Sequence, residues 1–270
     1  MTKKINIIIE KEVVIAESKE HLKKIIEKEI KKHGNECDLN FINTSLIMDM
    51  SYLFFDSQFN GNISQWNTSQ VENMQCMFGN THFNGDISQW NTSNVQHMDA
   101  MFEGSIFTNN LSLWDTSSVN SMRLMFINSK FNGDISQWNV SNVKDMTKMF
   151  ASSAFNNDIS RWNTANVKSM FSMFKRSVFD QNISCWNTRN VTNMREMFCD
   201  SKFHGDTNNW NTLNVQLLSN MFYNCSAPVP YWAQIKNVED RVVAINAYHT
   251  KKLLDENIDK NKTVKNNFKI

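Results

Sequence analysis

Between residues 63 and 83 the apolar positions are Ile63, Trp66, Val71, Met74, Met77, Phe78 and Phe83, with polar residues filling most of the gaps between them. The same order then returns without insertion. Tryptophan stands at 66, 90, 114, 138, 162, 186 and 210, each 24 residues from the last. A degenerate unit, DLNFINTSLIMDMSYLFFDSQF, precedes them with Ile42 in the tryptophan place, so eight units run from about residue 38 to 226. A period of this length is the signature of a solenoid, in which one unit cannot cover its own faces and needs neighbours on both sides.

The pattern inside a unit predicts its elements. Ile63-x-x-Trp66-x-Thr68 fits the L-x-x-L-x-L frame of a leucine-rich repeat, whose last positions form a short strand. By the two-residue period of a strand, Trp66 and Thr68 point inward and Asn67 outward. Val71, Met74, Met77 and Phe78 recur at three- and four-residue spacing, which predicts one or two helical turns behind that strand. Phe83 closes the unit, and the Asn-Gly or Asn-Asn that often follows such a Phe signals a turn. The Trp, Met and Phe columns are expected to be core. The column Asn67, Asn91, Asp115, Asn139, Asn163, Asn187 and Asn211 is expected to form a hydrogen-bonded ladder, and Asp86, Asp134, Asp158 and Asp206 to form turns. At the strand spacing of parallel sheets, eight units make a slab roughly 35–40 Å long.

Outside the repeat the period stops. The fold class expected is a leucine-rich-repeat-like solenoid of short parallel strands and short helical turns, capped by helices at both ends. Its parts are an N-terminal strand and helix cap over 1–37, the solenoid over 38–226, and a C-terminal helical cap with a polar tail over 227–270. The run INIII offers a first strand. Ser18 is the N-cap of a helix through His33, with Leu22, Ile25, Ile26 and Ile30 on one face and Gly34 ending it. Pro228 and Pro230 stop the last unit. Val238, Val242, Ile245 and Leu253 then mark a second amphipathic helix, and DENIDKNKTVKNNFKI reads as a polar, frayed tail.

Composition narrows the chemistry. Twenty-eight basic residues face 27 acidic ones, which gives no whole-molecule attraction to nucleic acid or to an anionic membrane. Cys37, Cys76, Cys185, Cys199 and Cys225 are odd in number and irregularly spaced, without a C-x-x-C pair, so reduced thiols are expected rather than disulfides or zinc. The start MTKKINIIIEKE is interrupted by Asn6 and ended by Glu10, short of a secretory h-region. No stretch approaches the apolar length of a membrane span. Sequons at Asn43, Asn67, Asn91, Asn139 and Asn182 fall on stacked segments where a glycan would not fit. A cytoplasmic location is the resulting expectation. The six histidines are scattered, and H-E-x-x-H, G-x-S-x-G, G-x-G-x-x-G and P-loop motifs are missing, so neither catalysis nor a cofactor is expected.

The units D-I-S-x-W-N-x-S-N-V-x-x-M-x-x-M-F, with DLNFINTS…MDMSYLF before them, resemble the BspA-like leucine-rich repeat surface proteins, a class also common among mycoplasma lipoproteins. The resemblance spans about 190 residues and seven recurring columns. It implies a bacterial right-handed solenoid that binds proteins without catalysis. Many members of the class are exported adhesins, whereas a signal peptide, a lipobox cysteine and a wall anchor are not found here.

Positions that stacking leaves free carry the functional expectation. Before tryptophan stand Gln65, Gln89, Leu113, Gln137, Arg161, Cys185 and Asn209; in the helical part stand Glu72, His97, Asp99, Arg123, Lys144, Lys148, Lys168, Arg195 and Glu196. Residues 62–133 hold two basic and five acidic groups, net −3, and residues 134–205 hold nine and six, net +3. The leading expectation is a cytosolic immunity protein that occludes a basic bacterial toxin, such as a nuclease, in a 1:1 complex through Gln65, Glu72, Gln89, Asp99, Glu103, Asp115, Gln137 and Arg161. The alternatives are an adhesin-type repeat region and nucleic-acid binding through the basic half; against the latter, the aromatic residues read as buried rather than free to stack on bases.

Overall fold

Each unit forms one coil of the solenoid, and turns rather than helices hold the coil. The structure, a computed structural model, describes residues 12–235 and 237–267, without the side chains of residues 249, 252 and 256–267. The INIII segment lies outside the described residues. The sixth coil shows the construction. Trp162 N–H donates to Ile159 O at 3.2 Å and Val167 N–H to Thr164 O at 3.0 Å, closing two tight turns. Ser169 then bridges in parallel to Asp145 of the coil before and Asn193 of the coil after. Three further turns follow, closed by Met173 N–H to Met170 O, Lys175 N–H to Ser172 O and Ser177 N–H to Phe174 O at 3.1–3.2 Å.

Between those turn bonds, alternate N–H groups point along the stack. Met170, Ser172, Phe174 and Arg176 donate to Asn193 O, Arg195 O, Met197 O and Cys199 O of the next coil, each at 2.9 Å. This alternation requires left-handed residues, and Ser172 and Arg176 have φ of 51° and 54°. The two columns recur throughout: Tyr52, Cys76, Ala100, Leu124, Lys148, Glu196 and Asn220 match Ser172, while Asp56, Asn80, Gly104, Asn128, Ser152, Asp200 and Asn224 match Arg176. A left-handed conformation costs a residue with Cβ about 1–2 kcal/mol, so the inter-coil bonds must hold it.

Two expectations are corrected here. The Val71–Phe78 spacing does not build helical turns; consecutive tight turns place apolar side chains at the same three- and four-residue intervals, and only turns free alternate N–H groups for the next coil. Nor does the Trp66-x-Thr68 column form the strands. That column is a strand only in the first coil, where β2 (Ile42–Asn43) pairs in parallel with β1 (Val14–Ile15). Elsewhere the bridges run through Asp49, Asn73, His97, Ser121, Asp145, Ser169, Asn193 and Leu217. The Trp–Thr column is joined by side chains instead. Each tryptophan Nε1 donates to the carbonyl of the apolar residue 27 positions earlier, as Trp138 does to Leu111 O at 3.0 Å. Thr68 and Thr92 Oγ1 donate to Asn91 O and Asp115 O of the next coil at 2.9 Å. The expected amide ladder is likewise absent: Asn67 Oδ1 accepts from its own Ser69 N–H at 3.0 Å, a turn within one coil.

The core is columnar. The seven repeat tryptophans are at most 4% exposed. Phe102, Phe126 and Phe150 stack at centroid spacings of 5.6 and 5.7 Å with rings within 2° of parallel. A second column, with Phe131 and Phe155 at 6.4 Å, runs beside it. These are offset stacks, the arrangement aromatic quadrupoles favour.

Both ends carry helices. Ser18 caps α1 (Lys19–His33) by accepting from His21 N–H, and Gly34, at φ 84°, ends it by donating its N–H to Ile30 O. Leu22 and Ile26 are buried against the first coil. At the other end a short 3-10 turn (Tyr231–Gln234) leads to α2 (Val238–Asn267). The helix runs through residues 255–267 of the segment read as a polar tail. Of its expected apolar face, Ile245 is buried, whereas Val238 and Leu253 are exposed.

Candidate interaction surface

The repeat fixes which side chains can meet a partner. In every coil the turn before tryptophan, the residues flanking the bridge, and the strip of left-handed turns leave the stack, and their identities are set by the coil rather than by packing.

The eight residues expected to form one face fall into separate columns. Gln65, Gln89, Gln137 and Arg161 are exposed in the turn that precedes tryptophan, not on a sheet. Glu72 is exposed beside the bridge column, and Asp99 and Glu103 are half-buried on the turn strip of the third coil. Asp115 is exposed but belongs to the local-turn column, with Oδ1 accepting from Ser117 N–H at 2.9 Å. Asp99 is also partly engaged: its Oδ1 accepts from Ser121 Oγ at 2.6 Å and Arg123 N–H at 2.9 Å. Arg123 in turn lies 3.6 Å from Asp145, so acidic and basic groups interlock across coils three to five.

Sequence reasoning missed a cluster further along the strip. Phe171 is half-exposed, with the Arg195 guanidinium 4.9 Å and the Lys148 ammonium 5.7 Å from its ring centroid. Cations over an aromatic face attract its quadrupole. The signal was legible, because Phe171 stands where other coils carry Gln75, Asp99, Arg123, Thr147, Arg195 and Ser219. The first coil breaks its columns in the same way, and Leu46, Met48, Tyr52 and Phe55 are 60%, 55%, 50% and 37% exposed. On the strip's edge Lys175 Nζ meets Glu196 at 2.6 Å, which holds that carboxyl below its usual range.

Among the described residues no group of three or more His, Cys, Asp or Glu is placed to hold a metal ion. Cys37, Cys76 and Cys199 are buried and form no disulfide, and burial pushes the thiols of Cys76 and Cys199 up. No helix among the described residues is long and apolar enough to cross a membrane.

These features define a repeat solenoid with an exposed, coil-by-coil variable surface. The chain matches the family described as "Mycoplasma protein of unknown function, DUF285" over residues 21–129, 104–178 and 175–250, and it belongs to that family. Among curated proteins and among solved structures, none matches it.

Proposed function

We propose that this solenoid is a non-catalytic protein-binding slab of the BspA-like, leucine-rich-repeat kind, and that it acts in the cytoplasm as an immunity protein occluding a basic toxin domain. The observation that carries the reading is the division between columns. The apolar side chains that repeat are buried, and most of the charged side chains that vary are exposed or half-buried and sorted by charge along the stack. Glu72, Asp99 and Glu103 give the acidic end a field that steers a basic partner. Occlusion needs no reacting group, only a rigid surface.

Reversing Glu72, Asp99 and Glu103 together to Lys should slow association with a basic toxin domain encoded beside this chain and flatten its salt dependence, with tryptophan circular dichroism unchanged. Reversing Glu72 and Glu103 alone spares the bonds that Asp99 makes. It should give the same direction of change. Association unaffected by either set would end the acidic-face reading.

The Phe171 cluster favours one second reading, nucleic-acid binding through the basic half. A half-exposed ring between Lys148 and Arg195 can stack on a base while Lys144 and Lys168 meet phosphates. A single-stranded oligonucleotide bound by the native protein, and released by Phe171→Ala with Arg195→Glu, would support it over the immunity reading.

A further inference from the structure

The turn strip is polar along the stack, whereas in the bridge column the bonds run the other way, as where Gln216 N–H donates back to Thr192 O at 2.9 Å. At successive interfaces, N–H groups from the turn strip of one coil donate to carbonyls of the next. The seventh coil ends this series: Met194, Glu196, Phe198 and Asp200 N–H reach Leu217 O, Ser219 O, Met221 O and Tyr223 O at 2.8–3.0 Å. The eighth coil presents the same row, Leu218, Asn220, Phe222 and Asn224, with Asn220 and Asn224 again left-handed at φ 59° and 49°. Among the described residues no acceptor meets those four N–H groups. Past Pro228 and Pro230 the chain does not lay down a ninth coil. It leaves cavities of about 470 and about 290 Å3 that share Leu218, Asn220 and Ala233.

Arg241 of α2 lines the larger cavity and is 2% exposed. Its guanidinium donates to Val215 O, while Nε has no partner. No carboxylate among the described residues forms an ion pair with it. A buried guanidinium without a counter-charge is costly, and it is the natural partner of a carboxylate.

We propose that the open edge of the eighth coil is a docking cleft for an acidic segment of a protein partner. Its main-chain carbonyls take the N–H row as a ninth coil would, and an Asp or Glu carboxylate at its start meets Arg241. The occupant follows from what the cleft lacks. The turn-strip row is all donor and the buried charge is positive, so the occupant supplies acceptors and a negative charge there, while the Gln216 carbonyl beside the row is left to accept an N–H, as Thr192 O does one coil earlier. Alternate-residue spacing matches a polypeptide, because main-chain carbonyls fill that row at the earlier interfaces. The mode is main-chain addition to an open edge, the segment following the row of turns as the next coil does at the earlier interfaces. It uses the end of the stack and is independent of the charged long face.

The test uses the whole 15N-labelled chain and a blocked hexapeptide of alternating valine and asparagine with one glutamate at its start. Titration should shift the amide signals of Leu218, Asn220, Phe222 and Asn224. The glutamate peptide should bind about tenfold more tightly than its glutamine twin, the difference a charge-assisted bond supplies. Arg241→Gln should erase that ratio without moving the amide response elsewhere. If that variant misfolds, Arg241→Lys should reduce the ratio, and the wild-type ratio stands by itself. Reversal of Glu72 and Glu103 should leave the response intact, which separates this cleft from the long-face reading. Amides unmoved up to about 5 mM peptide, equal affinity for the two peptides, or larger shifts with an oligouridine would each overturn the proposal.

Discussion

The two ends of the stack are closed by helices, yet they are closed differently. At the N-terminal end the backbone itself continues: Val14 and Ala16 N–H donate to Phe41 O and Asn43 O at 3.0 and 2.9 Å, so β1 stands where a preceding coil would. Lys19 Nζ then reaches Asp49 and Ser51 at 3.0 and 2.6 Å, and α1 buries Leu22 and Ile26 over the coil. At the C-terminal end Trp232 and Ile245 fill part of the space, but the last donor row and the Thr212 hydroxyl stay without partners. One cap extends the backbone hydrogen-bond ladder, whereas the other reaches the last coil through side chains, Arg241 to Val215 O and Trp232 Nε1 to Thr207 O at 3.2 Å, and leaves the turn-strip row open. An apolar core can therefore be covered while its backbone row stays unpaired, and an unpaired row is a template for another chain.

The largest expected effect lies between those ends. Trp138 is 3% exposed and bonded to Leu111 O, so Trp138→Ala should cost about 3–5 kcal/mol in urea denaturation through the cavity it leaves. A loss below about 1 kcal/mol would mean that the tryptophan column does not couple the two halves of the stack.

A second prediction turns on sign. Thr188 Oγ1 donates to Asn211 O at 2.9 Å, whereas Thr212 Oγ1, one coil on and equally buried, has no partner. Thr188→Val should destabilise by about 1–2 kcal/mol, because a buried carbonyl loses its donor. Thr212→Val should be neutral or stabilising by about 1 kcal/mol, because it removes an unmade bond at nearly constant volume. The chain already carries this exchange at Val140, which is 1% exposed in the same column. Equal losses at 188 and 212 would show that the C-terminal cap satisfies the hydroxyl after all.

That sign could not have been read from the sequence, where Thr188 and Thr212 are alike. The period, the buried columns, the Ser18 cap and the Gly34 stop were legible because each depends on residues close in sequence. The strand and the helical turns were misassigned because a three- and four-residue apolar spacing serves helices and consecutive turns equally. The decisive mark was the Asn, Asp and Gly in the column of Asp56, Asn80, Gly104, Asn128, Asp200 and Asn224, types that tolerate φ near +55°. The candidate surface was legible as variation and only partly as geometry: the 24-residue spacing of Phe171 and Arg195 makes them neighbours in one column, but it does not say that the guanidinium lies over the ring. Arg241 reads as an ordinary helix-face charge until the end of the stack is seen.

The smallest effect concerns acid, and it separates coils that the ladder treats as equivalent. Before each strand-like segment one side chain closes a turn onto the second residue after it. In five coils that side chain is an aspartate, Asp38, Asp86, Asp134, Asp158 or Asp206, and in three of these, Asp86, Asp134 and Asp158, its Oδ1 accepts from a serine N–H, that of Ser88, Ser136 or Ser160, at 2.8–2.9 Å. In others it is Asn62, Asn110 or Asn182, which accepts the same bond at 2.9–3.2 Å without a charge. The backbone N–H, and then the serine hydroxyl, favour the ionised form and hold these three carboxyls below the ordinary carboxylate range. Their folded pKa values lie under the unfolded ones, so the stability they add is present above the unfolded value and is lost as pH falls through the folded value. Changing all three to Asn should leave the neutral-pH melting temperature nearly unchanged, since the asparagine coils make the same turn. Below about pH 4 the variant should lose less stability than the wild type, because fewer carboxylates must take up protons. The residual acid sensitivity falls on Asp49 in the first coil, where burial opposes ionisation but bonds from Ser51 and Lys19 outweigh it, and on Glu196 and Asp200 in the seventh, where Lys175 and the Asn224 amide, respectively, favour the ionised carboxylate. Melting curves that shift in parallel for the two proteins between pH 6 and pH 3 would show that the turn carboxylates carry no share of the acid response, and that the aspartate and asparagine coils are interchangeable at every pH.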